Sequence, residues 1–149
     1  MKKLHNYILS LAVALVATGC CQQQKAKYVF YFIGDGMGFD CISIAETYLA
    51  QAEEGHNGMG LLSFSTFPVL GASATYSADS QVTDSAAGGT ALATGTKVNN
   101  GAIAITPDGD TLTSIAYKAH YAGMKVGIVA TVGIDHATPA SFYTHNVYR

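Results

Sequence analysis

The run Val82-Thr83-Asp84-Ser85-Ala86-Ala87-Gly88-Gly89-Thr90-Ala91 sets a serine beside a carboxylate, at the head of a tail with almost no side chains. A hydrophobic core does not call for that combination, but a nucleophile that a bulky anion must approach does. A helix opening at this point would aim its N–H groups and the positive end of its macrodipole at such an anion. The same residues also suit a helix N-cap and close helix packing, and Thr83 is a rival hydroxyl two positions away. Asp35 stands in Gly34-Asp35-Gly36-Met37-Gly38, where glycines let the backbone turn sharply and present the carboxylate to a metal; an Asx-type turn uses the same residues. Asp135-His136-Ala137-Thr138-Pro139 adds an imidazole and a hydroxyl, although Thr-Pro is also a common helix opening. Arg149 can grip two phosphate oxygens at once, as well as serve as a solvated surface charge.

These groups need elements to position them. Tyr28 to Ile33 is a continuous apolar and aromatic run ended by Gly34, the pattern of a strand buried on both faces of a parallel sheet. Ile42, Ala45, Tyr48, Leu49 and Ala52 recur at helical spacing, and residues 55–60 read as a loop. Val69 to Tyr76 reads as a second strand, and Asp84 to Thr94 as a helix ended by Gly95. Asn99-Asn100-Gly101 and Pro107-Asp108-Gly109 are turn signals on either side of a short strand, Ala102 to Ile105. A helix over Thr113 to Ala122 and a strand over Val126 to Thr131 complete an α/β alternation with a mainly parallel sheet. Ligands of such sheets gather at the carboxyl ends of the strands. Chain order therefore predicts Asp35, Ser85 and the Asp135–Thr138 segment on one edge.

Composition fits one domain in a 149-residue chain. The 8 Lys+Arg against 10 Asp+Glu, with no basic block, argue against nucleic acid as a partner. Residues 1–20 carry Lys2 and Lys3 ahead of the apolar run Ile8 to Ala17, the plan of a secretory signal. That run is shorter than the about 20 residues a bilayer span needs. Ala17-Thr18-Gly19-Cys20-Cys21 resembles a bacterial lipobox. Cys20 is then the expected site of a lipid that anchors the protein to a membrane, with ordinary cleavage nearby as the alternative. Residues 21–27 read as a polar tether and 28–149 as the N-terminal part of the exported domain, in a periplasmic or cell-envelope location. Cys41 is expected to be a buried apolar filler.

Taken in order, Tyr28-Val29-Phe30-Tyr31-Phe32-Ile33-Gly34-Asp35-Gly36-Met37-Gly38, the Val82–Ala91 run, and His136-Ala137-Thr138-Pro139-Ala140 with Arg149 resemble the alkaline phosphatase family. The resemblance implies a three-layer α/β sandwich, incomplete in this chain, and hydrolysis of phosphate monoesters through a phosphoserine at a site of two zinc ions and one magnesium. It makes Asp35 the carboxylate shared by a zinc and the magnesium, and Ser85 the phosphorylated, zinc-activated nucleophile. Asp84 steadies the phosphate-binding Arg149, and Thr138 is a magnesium ligand. His136 replaces the aspartate of the best-known bacterial form and becomes an outer group around the magnesium, a poorer partner for its hydration shell. His145 is expected to be structural. Further zinc ligands of the family lie beyond the position of Arg149, so this chain is expected to carry the nucleophile half alone and to be inactive in isolation; homodimers are common in the family. The competing classes are a phosphodiesterase or sulfatase of the same superfamily, whose nucleophile is typically threonine or a modified cysteine, and a non-catalytic exported lipoprotein.

Overall fold

The structure, a computed structural model, describes residues 26–52 and 58–149. The expected signal and Cys20, most of the tether, and part of the 55–60 loop lie outside the described residues. The chain divides into two units, Met1–Ile33 and Gly34–Arg149. In the first, the expected strand Tyr28 to Ile33 forms no ladder, and Tyr28, Val29, Phe30 and Phe32 are exposed. All the described helices belong to the second unit, and none is long and apolar enough to cross a membrane.

Helix α1, Phe39–Ala52, turns inward the side on which Ile42, Ala45, Glu46, Leu49 and Ala50 follow the i, i+3, i+4, i+7 rule. Tyr48 and Ala52, expected on that stripe, lie outside it and are exposed. So is Cys41, expected as a buried filler. One residue turns a helix by about 100°, so a position just before Ile42 leaves the stripe. Glu46 is an acid on the inner face and is buried. The returning chain satisfies it, because the Leu62 N–H donates to its Oε1 at 3.3 Å and the Gly60 N–H to its backbone carbonyl at 2.7 Å. A Cβ on Gly60 would sit 3.1 Å from the Ala50 nitrogen, a tight fit that favours glycine where the chain crosses α1. A short 3-10 turn, Ser63–Thr66, follows.

Helix α2, Ser85–Thr94, matches the expected helix closely. Asp84 caps its start by accepting the Ala87 N–H at 2.9 Å, and Gly95 ends it in the left-handed region at φ 79°. Helix α3, Ile115–Tyr121, begins at Ser114, whose hydroxyl accepts the Tyr117 N–H and donates to the Phe142 carbonyl at 2.6 Å. The single turn α4, Ala137–Ala140, packs on α2. A Cβ at Gly89 would lie 2.8 Å from Ser141 Oγ and 3.2 Å from the Thr138 Cα. Only a glycine in α2 lets the α4 backbone come this near. The core around this contact is made of small residues: Ala86, Ile103, Ala104, Ala137 and Ala140 form one cluster, and Ala87, Val98 and Ala102 a second, with Leu112 against both.

The described residues show little of the expected parallel sheet. Among the described residues the β pairings are two isolated antiparallel bridges, Ile103 with Asn146 and Ile105 with Thr111. Between them Ala104 adopts φ 49°, in the left-handed region that interrupts a strand. Buried Thr90 holds that kink by accepting the Ala104 N–H at 2.9 Å, while the Leu112 N–H donates to the Ala104 carbonyl. The expected strands Val69 to Tyr76 and Val126 to Thr131 are unpaired as ladders, with Val69 83%, Leu70 93% and Val129 95% exposed. Apolar, β-branched runs report that a segment is suited to being covered; they do not carry the partner that covers it.

Candidate active site

The Gly34-Asp35-Gly36 turn is closed by the Met37 N–H donating to the Gly34 carbonyl at 3.2 Å, with Gly36 at φ 70° in the position that requires a glycine. That turn projects the Asp35 carboxylate toward two hydroxyls. Ser85 Oγ, at the first residue of α2, donates to Asp35 Oδ1 at 3.3 Å. Thr138 Oγ1, on α4, donates to Asp35 Oδ2 at 2.6 Å. Each carboxylate oxygen thus faces a different hydroxyl, across 50 and 103 residues of sequence. The close α2–α4 contact at Gly89 is what places Thr138 beside Ser85's helix.

Asp84 has a second duty besides capping. Its Oδ1 accepts the Ala87 N–H, while Oδ2 lies 3.4 Å from Arg149 Nε and accepts the Gly101 N–H at 3.0 Å. The guanidinium is therefore tied to the residue that immediately precedes Ser85. In any helix the first N–H groups lack intrahelical acceptors. Here the Ala87 and Gly88 N–H groups are taken up by Asp84, through its carboxylate and its carbonyl, so Ser85 and Ala86 present the anion-facing end of α2. Asp35 and Arg149 are exposed and Ser85 is half-buried, so a solvent-borne anion can reach the cluster.

The other candidates are placed elsewhere. Thr83 turns its hydroxyl to the Asp84 carbonyl at 3.1 Å. His136 is exposed at the N-cap of α4 without a side-chain cap bond, and Asp135 folds back against Gly133. His145 Nε2 lies 2.8 Å from the Leu112 carbonyl, a structural contact. Among the described residues, no three His, Cys, Asp or Glu side chains cluster as a metal cage. What the sequence did not disclose is the role of Asn99-Asn100-Gly101, which reads as a hairpin turn. Its side chain and peptide groups contact Asp84 and Arg149, and the only signal for it was the Asn-Gly dipeptide itself.

The cluster is thus one carboxylate shared between two hydroxyls, next to an arginine paired with the N-cap of the helix that carries Ser85. The chain belongs to the alkaline phosphatase family, whose profile matches residues 26–149. It is 35% identical over 137 residues to the alkaline phosphatase of Gadus morhua, a match covering 85% of this chain and 29% of that protein. Among solved structures it is similar to the cold-active alkaline phosphatase of a psychrophilic Shewanella, with 41% identity and a TM-score of 0.68 over 78% of this chain and 29% of that one. A histidine-to-glutamate mutant of the TAB5 alkaline phosphatase with Mg bound aligns with 36% identity and a TM-score of 0.64, over 76% and 30% of the two chains. The fold is accordingly alkaline-phosphatase-like, and the chain spans less than a third of the length of these relatives.

Proposed function

We propose that this chain carries the nucleophile and phosphate-binding half of a phosphate monoesterase. The observation that supports it most directly is Asp35, with one oxygen on Ser85 and the other on Thr138, beside the Asp84–Arg149 pair. In this reading Ser85 Oγ attacks the phosphorus of a monoester; the Oγ–P bond forms as the P–O bond to the leaving alcohol breaks. Arg149 and the first N–H groups of α2 neutralise charge on the non-bridging oxygens. Asp35 Oδ1 orients the Ser85 hydroxyl for that attack. Water then displaces the serine from phosphorus, which releases inorganic phosphate and restores Ser85.

The donor set fits the metals that the family implies. Asp35 and Thr138 offer hard oxygens of the kind magnesium takes, and Asp35 with Ser85 would supply two donors to a zinc ion. Bound zinc would lower the pKa of the Ser85 hydroxyl and take up charge on the leaving oxygen. Two zinc ions need about eight donors between them, more than Asp35 and Ser85 provide. Residues 28–149 by themselves are therefore proposed not to turn over substrate. The whole protein would be exported and anchored through lipid on Cys20, with the mainly parallel sheet completed as in the family's three-layer sandwich, and a homodimer as the proposed assembly. The Asp-Ser-Ala sequence with a downstream Arg149 favours a monoesterase over a superfamily phosphodiesterase or sulfatase.

The test is covalent labelling of the full-length, zinc- and magnesium-loaded protein with radioactive inorganic phosphate at mildly acidic pH. Label is expected on the peptide containing Ser85, and Ser85→Ala is expected to remove it and lower turnover roughly a thousandfold or more. Label on Thr83, or full turnover by Ser85→Ala, would overturn the assignment.

A further inference from the structure

The turn Asn99-Asn100-Gly101 does more than reverse the chain. A tight turn at this point needs a residue that tolerates a left-handed backbone, and Gly101 at φ 84° meets that need alone. Nothing in the turn requires the Asn100 side chain to reach 16 residues back. Yet Asn100 Oδ1 accepts the Asp84 N–H at 3.1 Å, and Asn100 Nδ2 donates to the Val82 carbonyl at 2.9 Å. The amide thereby brackets the strand of backbone that leads into Ser85. Asp79 in turn fixes Asn100, accepting its backbone N–H at 2.9 Å. That hydrogen bond is the main reason the Asp79 carboxyl is held below the usual carboxylate range, with a smaller contribution from Ser77.

Gly101 closes the arrangement from the other side. Its N–H donates to Asp84 Oδ2 at 3.0 Å, the same oxygen that faces Arg149 Nε. Its carbonyl accepts the Arg149 N–H at 3.0 Å. Asp84, Gly101 and Arg149 therefore form a closed ring, with the arginine backbone held by Gly101 directly and its guanidinium by the Asp84 oxygen that Gly101 also holds. A Cβ on Gly101 would stand 2.8 Å from the Tyr148 ring, so the residue next to Arg149 is seated directly on this glycine.

We infer that Asn100 and Gly101 are positioning residues that set Arg149 for phosphate, acting through Asp84; this rests on the monoesterase reading given above. Neither touches substrate. An arginine half exposed to solvent has many rotamers, and fixing one of them in advance favours tight phosphate binding because less freedom is lost on binding.

The experiment is a double-mutant cycle on the full-length, metal-loaded protein, with Asn100→Ala and Arg149→Ala made singly and together. Inhibition constants for inorganic phosphate are measured, with active sites counted by serine-bound label and folding checked by thermal melting. Asn100→Ala is expected to raise the phosphate inhibition constant about tenfold, and by less than about twofold when Arg149 is already alanine, as coupled groups are non-additive. The same factor in both backgrounds would mean a general structural effect and overturn the inference, as would no effect in either. If Asn100→Ala does not fold, Asp79→Ala, which removes the acceptor of the Asn100 N–H and of the Ser77 hydroxyl, takes its place with an expected change of about threefold and the same dependence on Arg149. Failure of the underlying reading looks different: Arg149→Ala alone would then leave phosphate inhibition unchanged.

Discussion

Two regions of this molecule built from similarly apolar sequence behave in opposite ways. Around α2, the turn at residues 99–101 and α4, small side chains are buried and the buried polar side chains have partners: Thr90, Ser114 and Ser141 are buried, yet each is hydrogen-bonded. In the segments 69–76 and 126–131, larger apolar residues such as Leu70 and Val129 stand almost fully in solvent. The difference is one of where the partners lie. The first region is closed by contacts within the chain, with Gly89 admitting α4 and Thr90 holding the kink at Ala104. The second consists of strand-like runs, and a strand acquires its stability from neighbours rather than from its own residues. Asp84, Ser85 and Thr138 belong to the first region, and the glycine turn at residues 34–36 brings Asp35 to them, so the site is assembled without the sheet.

This contrast can be broken most severely at Gly89. A valine there would drive a branched side chain into Ser141 and the Thr138 backbone. It is expected to lower the stability of the chain to urea by about 3 kcal/mol, with α4 displaced from Asp35. A smaller loss is expected from Thr90→Val, which preserves shape but leaves the Ala104 N–H unsatisfied; about 1–3 kcal/mol is expected in the same measurement. An undiminished stability for either variant would show that the α2–α4 region is not the closed unit described above.

A pH-dependent contribution, smaller again, comes from Asp79. Its folded carboxyl is held below its ordinary value, so its ionised form contributes stability above the ordinary carboxylate range. That contribution is lost as pH falls through the folded value. The stability difference between the wild-type chain and Asp79→Asn, measured by denaturation across pH 7 to pH 2 (about the carboxylate range), should therefore shrink toward the acid end. A difference that grows on acidification would contradict the hydrogen bond to Asn100. The smallest effect is expected where the chain is uncovered: Val129→Thr should change stability by less than about 0.5 kcal/mol, against the large loss from the reverse exchange at Thr90.

Much of the site was legible before any coordinates. Asp84 and Ser85 at a helix start, Gly95 at its end, and Asp35 in a glycine turn follow from local rules of capping and turn chemistry, and the structure has them there. The face of α1 was legible only in part, since Glu46 is inside while Tyr48 and Cys41 are outside. A buried acid contradicts the hydrophobic pattern, and only the Gly60–Leu62 return that satisfies it explains why Glu46 can be there. The strand at 102–105 failed for a similar reason: Ala104 has no local signal for a left-handed conformation, and its stability comes from Thr90 and Leu112.

The sequence by itself determined the chemistry available, because residue type fixes charge, nucleophilicity and donor atoms, and because capping and turn preferences act over a few residues. Three motifs in order were enough to indicate a phosphate-handling family. Tertiary structure alone decided that the two Asp35 oxygens meet different hydroxyls, and that Asn100 and Gly101 stand behind Arg149. Those contacts join residues from 16 to 103 positions apart. Distances of that kind are set by how closely two backbones can approach, here at Gly89 and Gly101, and no local preference encodes them.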